Sequence, residues 1–306
     1  MIASPTVAAV LVDVERRLRV AGIGESRLEA RILVERCLGL ERAQLHARPE
    51  RQLTPEGLCA LEVLVARRAS REPLAYVTGE REFFGLRLLV DRRALVPRPE
   101  TELLVELALA VLAESTGGGA SEAPRVADVG TGCGAVAVAL AIHRPDAVVL
   151  GLDASAEALE LAAANCRRCG VTDRVALVRG DLLDPLASSV DLIAANLPYV
   201  PTGQLRRLQP EVRREPRLAL DGGADGLDLY GRLLARAPDY LRPGGALLFE
   251  IGAGQGKAAA ALAGRAFPQW SLRVLGDLAG LDRIVVVRRA GVAARLPAGC
   301  RVLASG

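Results

Sequence analysis

The stretch VADVGTGCGAVAVALA, residues 126 to 141, predicts a strand, a tight turn and a helix in immediate succession. The apolar residues up to Val129 suit a short buried strand, and the residues after Gly134 suit a helix. Between them, Gly130, Gly132 and Gly134 allow a tight turn whose backbone a ligand can approach closely. Such a turn indicates a ligand site. Dinucleotide-binding proteins use a related spacing, so the turn alone leaves the ligand open.

Strand and helix patterns alternate from Arg125 to Arg289. This alternation predicts an α/β fold with a mostly parallel sheet that is covered by helices on both faces. The strands are expected at residues 126–129, 148–152, 175–178, 190–195 and 246–251 and as a final pair within 270–289.

Four parts are expected along the 306 residues. Residues 1–73 carry apolar residues at helical spacing and predict a small helical bundle. Residues 74–97 contain short β-like runs broken by glycine and predict a β-hairpin that links two domains. Residues 98–289 form the α/β domain, and residues 290–306 are expected to be a loose tail.

Composition argues against several classes of protein. The net charge is +3 and no polybasic block occurs, so direct nucleic-acid binding is not expected. No apolar run reaches the ~18 residues needed to span a bilayer, and the N-terminus is a poor signal peptide. We therefore expect a soluble, cytoplasmic protein without a membrane partner. Cys166 and Cys169 have redox or zinc spacing, but no second pair and no histidine lies near them in the sequence, so no metal site is expected.

Two acidic residues end the strands that follow the glycine turn. Asp153 ends the second strand, where a carboxylate can accept hydrogen bonds from both hydroxyls of a ribose. Asp181 follows the third strand, where a carboxylate can accept from an exocyclic adenine amine. Because ligands bind at the carboxyl ends of the strands in such sheets, the turn and the two acids together predict a nucleoside site.

This arrangement resembles the class I S-adenosylmethionine-dependent methyltransferases, which have a Rossmann-like fold with a seven-stranded, mostly parallel sheet. The resemblance implies S-adenosyl-L-methionine as cofactor and S-adenosyl-L-homocysteine as its product. The implied cofactor-binding residues are Gly130, Thr131, Gly132, Cys133, Gly134, Asp153, Asp181, Leu182 and Asn196. A dinucleotide-binding protein is the rival interpretation, but the turn GTGCG lacks the GxGxxG spacing and the fourth strand carries NLPY rather than a nicotinamide site.

The fourth strand runs into AANLPYV, residues 194 to 200. An amide or aromatic amine is a poor nucleophile because its lone pair is delocalised, so its N–H groups must be held on carbonyl acceptors. Asn196 Oδ1 and the backbone carbonyl of Leu197 can be these acceptors, Pro198 fixes the turn, and Tyr199 can lie against a planar substrate group. We assign substrate binding to all four residues and catalytic roles to Asn196, Pro198 and Tyr199.

The tetrapeptide NLPY resembles the motif of amino-methyltransferases, which act on adenine N6, cytosine N4 or the glutamine amide. Most glutamine enzymes carry Asn-Pro-Pro-Tyr. Leu197 instead gives a form that is more familiar in ribosomal RNA adenine dimethyltransferases. The motif therefore indicates the chemistry and leaves open whether the acceptor is an adenine of RNA or DNA or a glutamine.

Three longer segments favour glutamine. Residues 71–106, 211–234 and 276–289 are similar to segments of the protein-(glutamine-N5) methyltransferases that act on peptide chain release factors. A sister group methylates a glutamine of a large-subunit ribosomal protein, but RPETE at residues 98–102 favours the release-factor group. The residues expected near the mouth of the active site are Arg98, Pro99, Glu100 and Thr101.

The resemblance implies that the substrate is the glutamine of the Gly-Gly-Gln motif in release factors, which are then the protein partners. Residues 1–73 would recognise the rest of the factor, although a helical bundle could also serve only to stabilise the enzyme. The alternative from another functional class is a non-catalytic nucleoside-binding module that docks on translation factors. The intact NLPY loop argues against this alternative.

Overall fold

The computed structural model describes residues 4–40, 42–115, 123–289 and 301–303. Two compact units are present. One comprises Met1–Glu80 together with Gln209–Arg214, and the other comprises Arg81–Leu208 together with Glu215–Gly306.

The first unit is helical, as the apolar spacing predicts. Its helices are α1 (Val7–Val20), α2 (Ser26–Leu38), α3 (Arg42–Ala47), α4 (Pro55–Ala69) and α5 (Leu74–Thr78). The side chains of Thr6 and Thr54 cap the first turns of α1 and α4 by accepting backbone hydrogen bonds. Buried side chains that include Leu18, Leu33 and Leu61 give this unit a hydrophobic core of its own.

The segment Gln209–Arg214 belongs to the helical unit, although the sequence pattern placed it inside the α/β domain. Its Glu211 carboxylate lies 3.0 Å from Nη2 of Arg68 and 2.8 Å from Nη2 of Arg71. Arg68 is almost completely buried and also pairs with Glu29. Ion pairs between residues so distant in the chain leave no periodic pattern, so apolar spacing could not assign this segment.

The hairpin is shorter than expected. Its strands β1 (Glu80–Phe83) and β2 (Leu86–Leu89) form a two-stranded sheet, whereas the beginning of the expected hairpin segment is the helix α5. Pro73 precedes this helix with a φ of −50°, and Gly79 ends it with a φ of +78°. One short helix therefore fits between the proline and the first strand.

The second unit contains the large sheet. Its strands are β3 (Arg125–Val129), β4 (Val148–Asp153), β5 (Val175–Arg179), β6 (Val190–Ala195), β7 (Leu241–Glu250), β8 (Trp270–Gly276), β9 (Asp282–Arg289) and β10 (Arg301–Leu303). Their order across the sheet is β10-β8-β9-β7-β6-β3-β4-β5. Strands β3 to β7 are parallel, and β9 runs antiparallel to β7 and β8. The first seven match the predicted sheet; β10 comes from the expected tail, whose residues 290–300 and 304–306 lie outside the described residues.

In the described part of the second unit, five α-helices complete the alternation. They are α6 (Glu102–Ser115), α7 (Ala135–His143), α8 (Ala156–Cys169), α9 (Asp228–Tyr240) and α10 (Gly256–Ala266). Cys166 and Cys169 lie in the last turn of α8. Within the described ranges, no cluster of three His, Cys, Asp or Glu side chains suits a metal ion. Every helix in those ranges is too short or too polar to span a lipid bilayer.

The register of the parallel strands brings the predicted site together. Val129 of β3 lies opposite Leu152 of β4 and Ala195 of β6. The next residues in the chain, which include Gly130 and Asn196, therefore leave the sheet at the same edge. The sheet places the glycine turn beside the asparagine loop, at the carboxyl ends of the strands, where ligands bind in folds of this kind.

Candidate active site

A cavity of about 520 Å³ opens at this edge of the sheet. The predicted residues that line it are Arg98, Thr101, Gly130, Thr131, Gly132, Cys133, Asp153, Asp181, Leu182, Asn196, Leu197 and Pro198. The predicted residues outside its lining are Pro99, Glu100, Gly134 and Tyr199. A cavity of this size is typical of small-molecule and cofactor sites. One cavity thus receives both the glycine turn and most of the NLPY loop.

Two glycines of the turn are required by close packing. A Cβ at Gly130, where φ is +76°, would lie 2.9 Å from Cδ2 of Leu197. A Cβ at Gly134, where φ is +83°, would lie 3.1 Å from Cβ of Ala162 in α8. Gly130 therefore admits the NLPY loop, and Gly134 admits the neighbouring helix α8.

Asp128, near the end of β3, fixes the turn. Its Oδ2 accepts a hydrogen bond from the Thr131 hydroxyl at 2.6 Å and one from the backbone N–H of Ala137 at 3.0 Å. Burial raises the pKa of Asp128 to about 6, although these two hydrogen bonds oppose the rise. The Thr131 hydroxyl is thus already bonded within the turn. Asp128 was not among the site residues predicted from the sequence.

Cys133 contacts its neighbours through its backbone, and its thiol is not ionised. Burial raises the pKa of its thiol to about 12, so the thiol stays protonated at neutral pH. Its carbonyl accepts a hydrogen bond from Nδ2 of the fully buried Asn165 at 2.8 Å. Asn165 also donates to the carbonyl of Leu89 at 3.0 Å and accepts from the Leu89 N–H at 2.7 Å. This second residue missed by sequence reasoning ties the turn to β2.

The two predicted acids occupy different environments. Asp153 accepts hydrogen bonds from the backbone N–H groups of Gly132 at 2.8 Å and Ser155 at 2.9 Å, and burial raises its pKa. Because a carboxylate offers about four acceptor positions, Asp153 can still accept ribose hydroxyls. Asp181 is exposed and pairs with Arg232, which also lines the cavity. A ligand amine at Asp181 would share that carboxylate with Arg232.

The side chain of Asn196 is held in one orientation. Its Nδ2 donates to Thr101 Oγ1 at 2.9 Å and to Glu250 Oε2 at 3.0 Å. The Thr101 hydroxyl donates to the same Glu250 oxygen at 2.6 Å. Because both Nδ2 protons are engaged, Oδ1 is the end that Asn196 can offer to a ligand in the cavity.

Glu250, the last residue of β7, is a site residue that the sequence analysis missed. It is fully buried, and its Oε1 has no hydrogen-bond partner among the described residues. Burial raises the pKa of Glu250 to about 7, whereas the hydrogen bond from Thr101 and the charge of Arg283 oppose the rise. Its signal in the sequence is a single acid after the apolar run ALLF, which a strand end can also carry for other reasons.

Tyr230, in α9, holds the backbone of the NLPY loop and was also missed. Its buried hydroxyl accepts a hydrogen bond from the N–H of Leu197 at 3.0 Å and donates to the backbone carbonyl of Glu250. The carbonyl of Leu197 lies 3.2 Å from the same hydroxyl as an alternative acceptor. The side chain of Leu197 is buried against Gly130, so this residue fixes the loop through both its side chain and its backbone.

Glycines downstream of the loop allow its second half to pack closely. A Cβ at Gly222 would lie 2.5 Å from the carbonyl oxygen of Pro198, and one at Gly226 would lie 2.2 Å from that of Tyr199. Nε2 of Gln255 also donates to the Tyr199 carbonyl at 3.0 Å. The Tyr199 ring is outside the cavity lining, and burial raises the pKa of its phenol to about 12. The ring therefore lies beside the cavity rather than in its wall.

Arg98 reaches the cavity and is anchored there. Its Nη2 lies 2.5 Å from Oε1 of Glu215, whose other oxygen accepts a hydrogen bond from the N–H of Val96 at 2.9 Å. Pro99 and Glu100 are exposed and outside the cavity lining. The predicted mouth residues thus separate into an inner and an outer pair.

Comparison with known families and proteins gives matches to both parts of the chain. Residues 9–79 match the family described as PrmC N-terminal domain, and residues 105–209 match the methyltransferase small domain. A protein of Geobacter sulfurreducens named release factor glutamine methyltransferase is 47% identical over 236 residues, or 76% of this chain and 80% of that protein. A protein of the same name from Moorella thermoacetica is 42% identical over 285 residues, or 93% of this chain and 99% of that protein.

The chain belongs to the release factor glutamine methyltransferase family.

This methyltransferase also has similar folds among solved structures. The catalytic domain of hMettl16, in complex with MAT2A 3′UTR hairpin 6, superposes with a TM-score of 0.54 at 14% identity, covering 75% of this chain and 84% of that one. At this identity the likeness concerns the fold alone. Together with the family match, it confirms the predicted class I S-adenosylmethionine-dependent methyltransferase fold. The alternative interpretation as a dinucleotide-binding protein is therefore wrong.

Proposed function

We propose that the enzyme transfers a methyl group from S-adenosyl-L-methionine to the side-chain N5 of the glutamine in the Gly-Gly-Gln motif of peptide chain release factors. The observation that carries this proposal is the fixed amide of Asn196, whose Oδ1 is left for a ligand at a cavity shared with the glycine turn. The names of the relatives support the choice of release factors as substrate. Such a substrate would also place the reaction in the cytoplasm.

The cavity suits the proposed cofactor. A Cβ at Gly132 would have no heavy atom closer than the Gly130 carbonyl oxygen at 3.9 Å, so the turn presents open backbone there. Asp153 would hold the ribose hydroxyls, and Asp181 with Leu182 would flank the adenine. When bound, the cofactor supplies a methyl group that is already activated on a sulfonium.

The residues of the NLPY loop would then position the acceptor nitrogen. Asn196 Oδ1 accepts one N–H of the substrate amide, and the carbonyl of Leu197 accepts the other with the lone pair that Tyr230 leaves free. These two bonds turn the nitrogen lone pair toward the methyl group and favour the positive charge that develops on nitrogen. A proton leaves that nitrogen after transfer, so no strong base is needed beforehand.

The helical unit has a separate proposed role. The match of residues 9–79 to the PrmC N-terminal domain supports recognition of the release factor by this unit, and its own hydrophobic core makes it a separate compact unit. Selectivity would then come from the surface of the helical unit as well as from the cavity that Asn196 lines.

The test is to incubate the full-length enzyme with a release factor and labelled S-adenosyl-L-methionine and to weigh the tryptic peptide that contains Gly-Gly-Gln. We expect one added methyl group on the glutamine. Transfer to ribosomal RNA with none to the release factor would instead support the adenine enzymes that the NLPY form suggests, and transfer to a ribosomal protein would support the sister group. Cofactor binding without any transfer would support a non-catalytic module.

Asn196→Ala sharpens this test. We expect turnover to fall by roughly a hundredfold or more, while the affinity for S-adenosyl-L-methionine changes much less. Gln204→Ala removes an exposed side-chain amide outside the cavity lining and is the control. An equal loss of turnover and cofactor affinity in Asn196→Ala would remove the proposed substrate role of this residue.

A further inference from the structure

The orientation of the Asn196 amide depends on a hydrogen-bond network that reaches beyond the NLPY loop. An asparagine side chain has a donor end and an acceptor end of nearly equal size, so its shape alone does not decide which end meets the substrate. Two oxygens, Thr101 Oγ1 and Glu250 Oε2, receive the Nδ2 protons. A flipped amide would place its Oδ1 against a carboxylate oxygen, where neither atom has a proton to share.

Glu250 also decides how Thr101 behaves. A threonine hydroxyl can donate or accept, so by itself it would tolerate either end of the Asn196 amide. The Thr101 proton is committed to Glu250 Oε2 at 2.6 Å, so Thr101 offers only lone pairs to Asn196. Both contacts that orient Asn196 therefore depend on one carboxylate oxygen.

The sheet gives Glu250 a fixed place relative to Asn196. Ala195 of β6 pairs with Phe249 of β7 in parallel register, so Asn196 and Glu250 are the next residues along neighbouring strands. The backbone carbonyl of Glu250 is bound by Tyr230, and its side chain is fully buried. The carboxylate is thus a rigid part of the scaffold.

We propose that Glu250 is a positioning residue, which as a carboxylate holds Asn196 Oδ1 toward the acceptor amide and favours the positive charge that forms on its nitrogen. The inference rests on the proposed function. The acceptor nitrogen uses its lone pair to form the N–C bond, the sulfonium sulfur takes the pair of the broken S–C bond, and the nitrogen stays positively charged until one N–H proton passes to solvent water. The negative charge of Glu250 acts on that cation through the aligned amide of Asn196.

The charge of Glu250 is sensitive to pH near neutrality. Burial raises its pKa to about 7; the Thr101 hydrogen bond, Arg283 and the Tyr199 hydroxyl lower it, and Glu100 raises it further. Turnover is therefore expected to rise as the pH increases through about 7, because a neutral carboxyl can donate its O–H to a flipped amide, whereas the ionised form accepts on both oxygens and also carries the charge.

Glu250→Gln keeps the size of the side chain and an acceptor oxygen but removes the charge. With the full-length enzyme and a release factor, we expect this variant to bind S-adenosyl-L-methionine normally. Its kcat should fall roughly ten- to a hundredfold, and the rise of kcat near pH 7 should disappear. Glu250→Ala should lose more. A Glu250→Gln variant with wild-type kcat and an unchanged pH profile would overturn the proposal and leave Glu250 only a role in folding.

A second measurement does not depend on the substrate. In NMR spectra of the wild-type protein, the side-chain NH2 signals of Asn196 should shift with pH as Glu250 ionises, and in Glu250→Gln they should not. Wild-type signals that ignore pH would contradict the network. If the enzyme methylates another amide or amine instead of the release factor, the proposed function fails while this titration and the variant kinetics on that acceptor still decide the role of Glu250.

Discussion

The two loops that meet at the cavity rest on two different kinds of support. The glycine turn is fixed by Asp128, which bonds to residues three and nine positions further along the chain. The NLPY loop is fixed by Glu250, whose partners Thr101 and Asn196 are 149 and 54 positions away. Both carboxyl groups are buried and both have a raised pKa. One support is therefore local, and the other exists only when the whole sheet is formed.

This difference suggests that binding of the cofactor and transfer of the methyl group depend on different residues. We propose that the glycine turn, with Asp128 as its local support, can hold the cofactor without the contacts of Glu250, whereas the acceptor site needs β6, β7 and the residues before α6 in place together. We therefore expect substitutions of Asp128 to affect mainly cofactor binding, and substitutions of Glu250 to affect mainly turnover.

The largest expected effect is on the pH dependence of stability. Each carboxyl has a folded pKa, about 6 for Asp128 and about 7 for Glu250, that is higher than its ordinary value of 3.8 or 4.5. Between these values the native protein binds protons that the unfolded chain has released, so the free energy of unfolding falls as the pH rises. Each group accounts for roughly 3 kcal/mol.

Urea unfolding measured from pH 4 to 8 checks this expectation. Asp128→Asn should remove the part of the slope that ends near pH 6, and Glu250→Gln the part that continues to about pH 7. Both variants should then be relatively more stable at high pH. If Glu250→Gln kept the wild-type slope above pH 6, the carboxyl that titrates there would be another one.

The next effect concerns cofactor affinity. Asp128→Ala leaves the Thr131 hydroxyl and the Ala137 N–H without their common acceptor, and each lost bond costs about 1–3 kcal/mol. We expect S-adenosyl-L-methionine to bind roughly a hundredfold more weakly, which titration calorimetry can measure. Asp128→Asn keeps an acceptor and should lose less. Glu250→Ala is the contrasting variant, and an equal loss of affinity there would break the distinction between the two supports.

The contrast between local and long-range contacts explains which site residues the sequence could predict. The glycine turn, Asp153 and Asp181 lie at or within two residues of strand ends, so alternation and spacing predicted their place at the cavity. Glu250 and Tyr230 matter because they contact residues that are distant in the chain, and such contacts leave no spacing to recognise. Each reads in the sequence as an ordinary strand or helix residue.

In the NLPY loop and the RPETE segment, too, the sequence could not show contacts between residues that are distant in the chain. The sequence predicted the Tyr199 ring beside Asn196, but only the structure shows that Tyr199 is outside the cavity lining, with its ring Cδ2 3.2 Å from where a Cβ at Gly252 would lie. Thr101 was predicted near the mouth and lines the cavity, but only the structure shows that its contacts with Glu250 and Asn196 also support the asparagine.

The smallest effect tests how the backbone of each loop is held. In the glycine turn, the N–H groups of Gly130 and Thr131 donate to the carbonyl of Leu152, so both donors have a backbone acceptor. In the NLPY loop, the N–H of Leu197 depends on the hydroxyl of Tyr230. Tyr230→Phe should therefore cost about 2 kcal/mol, because it leaves a buried donor without an acceptor.

Leu197→Pro isolates that contribution because it removes the N–H itself. In a double-mutant cycle measured by urea unfolding, Tyr230→Phe should cost about 1 kcal/mol less when residue 197 is proline than when it is leucine. Leu197→Ala is the matched control, since it keeps the N–H and should leave the full cost of Tyr230→Phe. Equal costs in all three backgrounds would mean that Tyr230 stabilises the loop through its bond to the Glu250 carbonyl alone. The loop would then not need the leucine N–H, and Leu197 would matter only through its packing against Gly130.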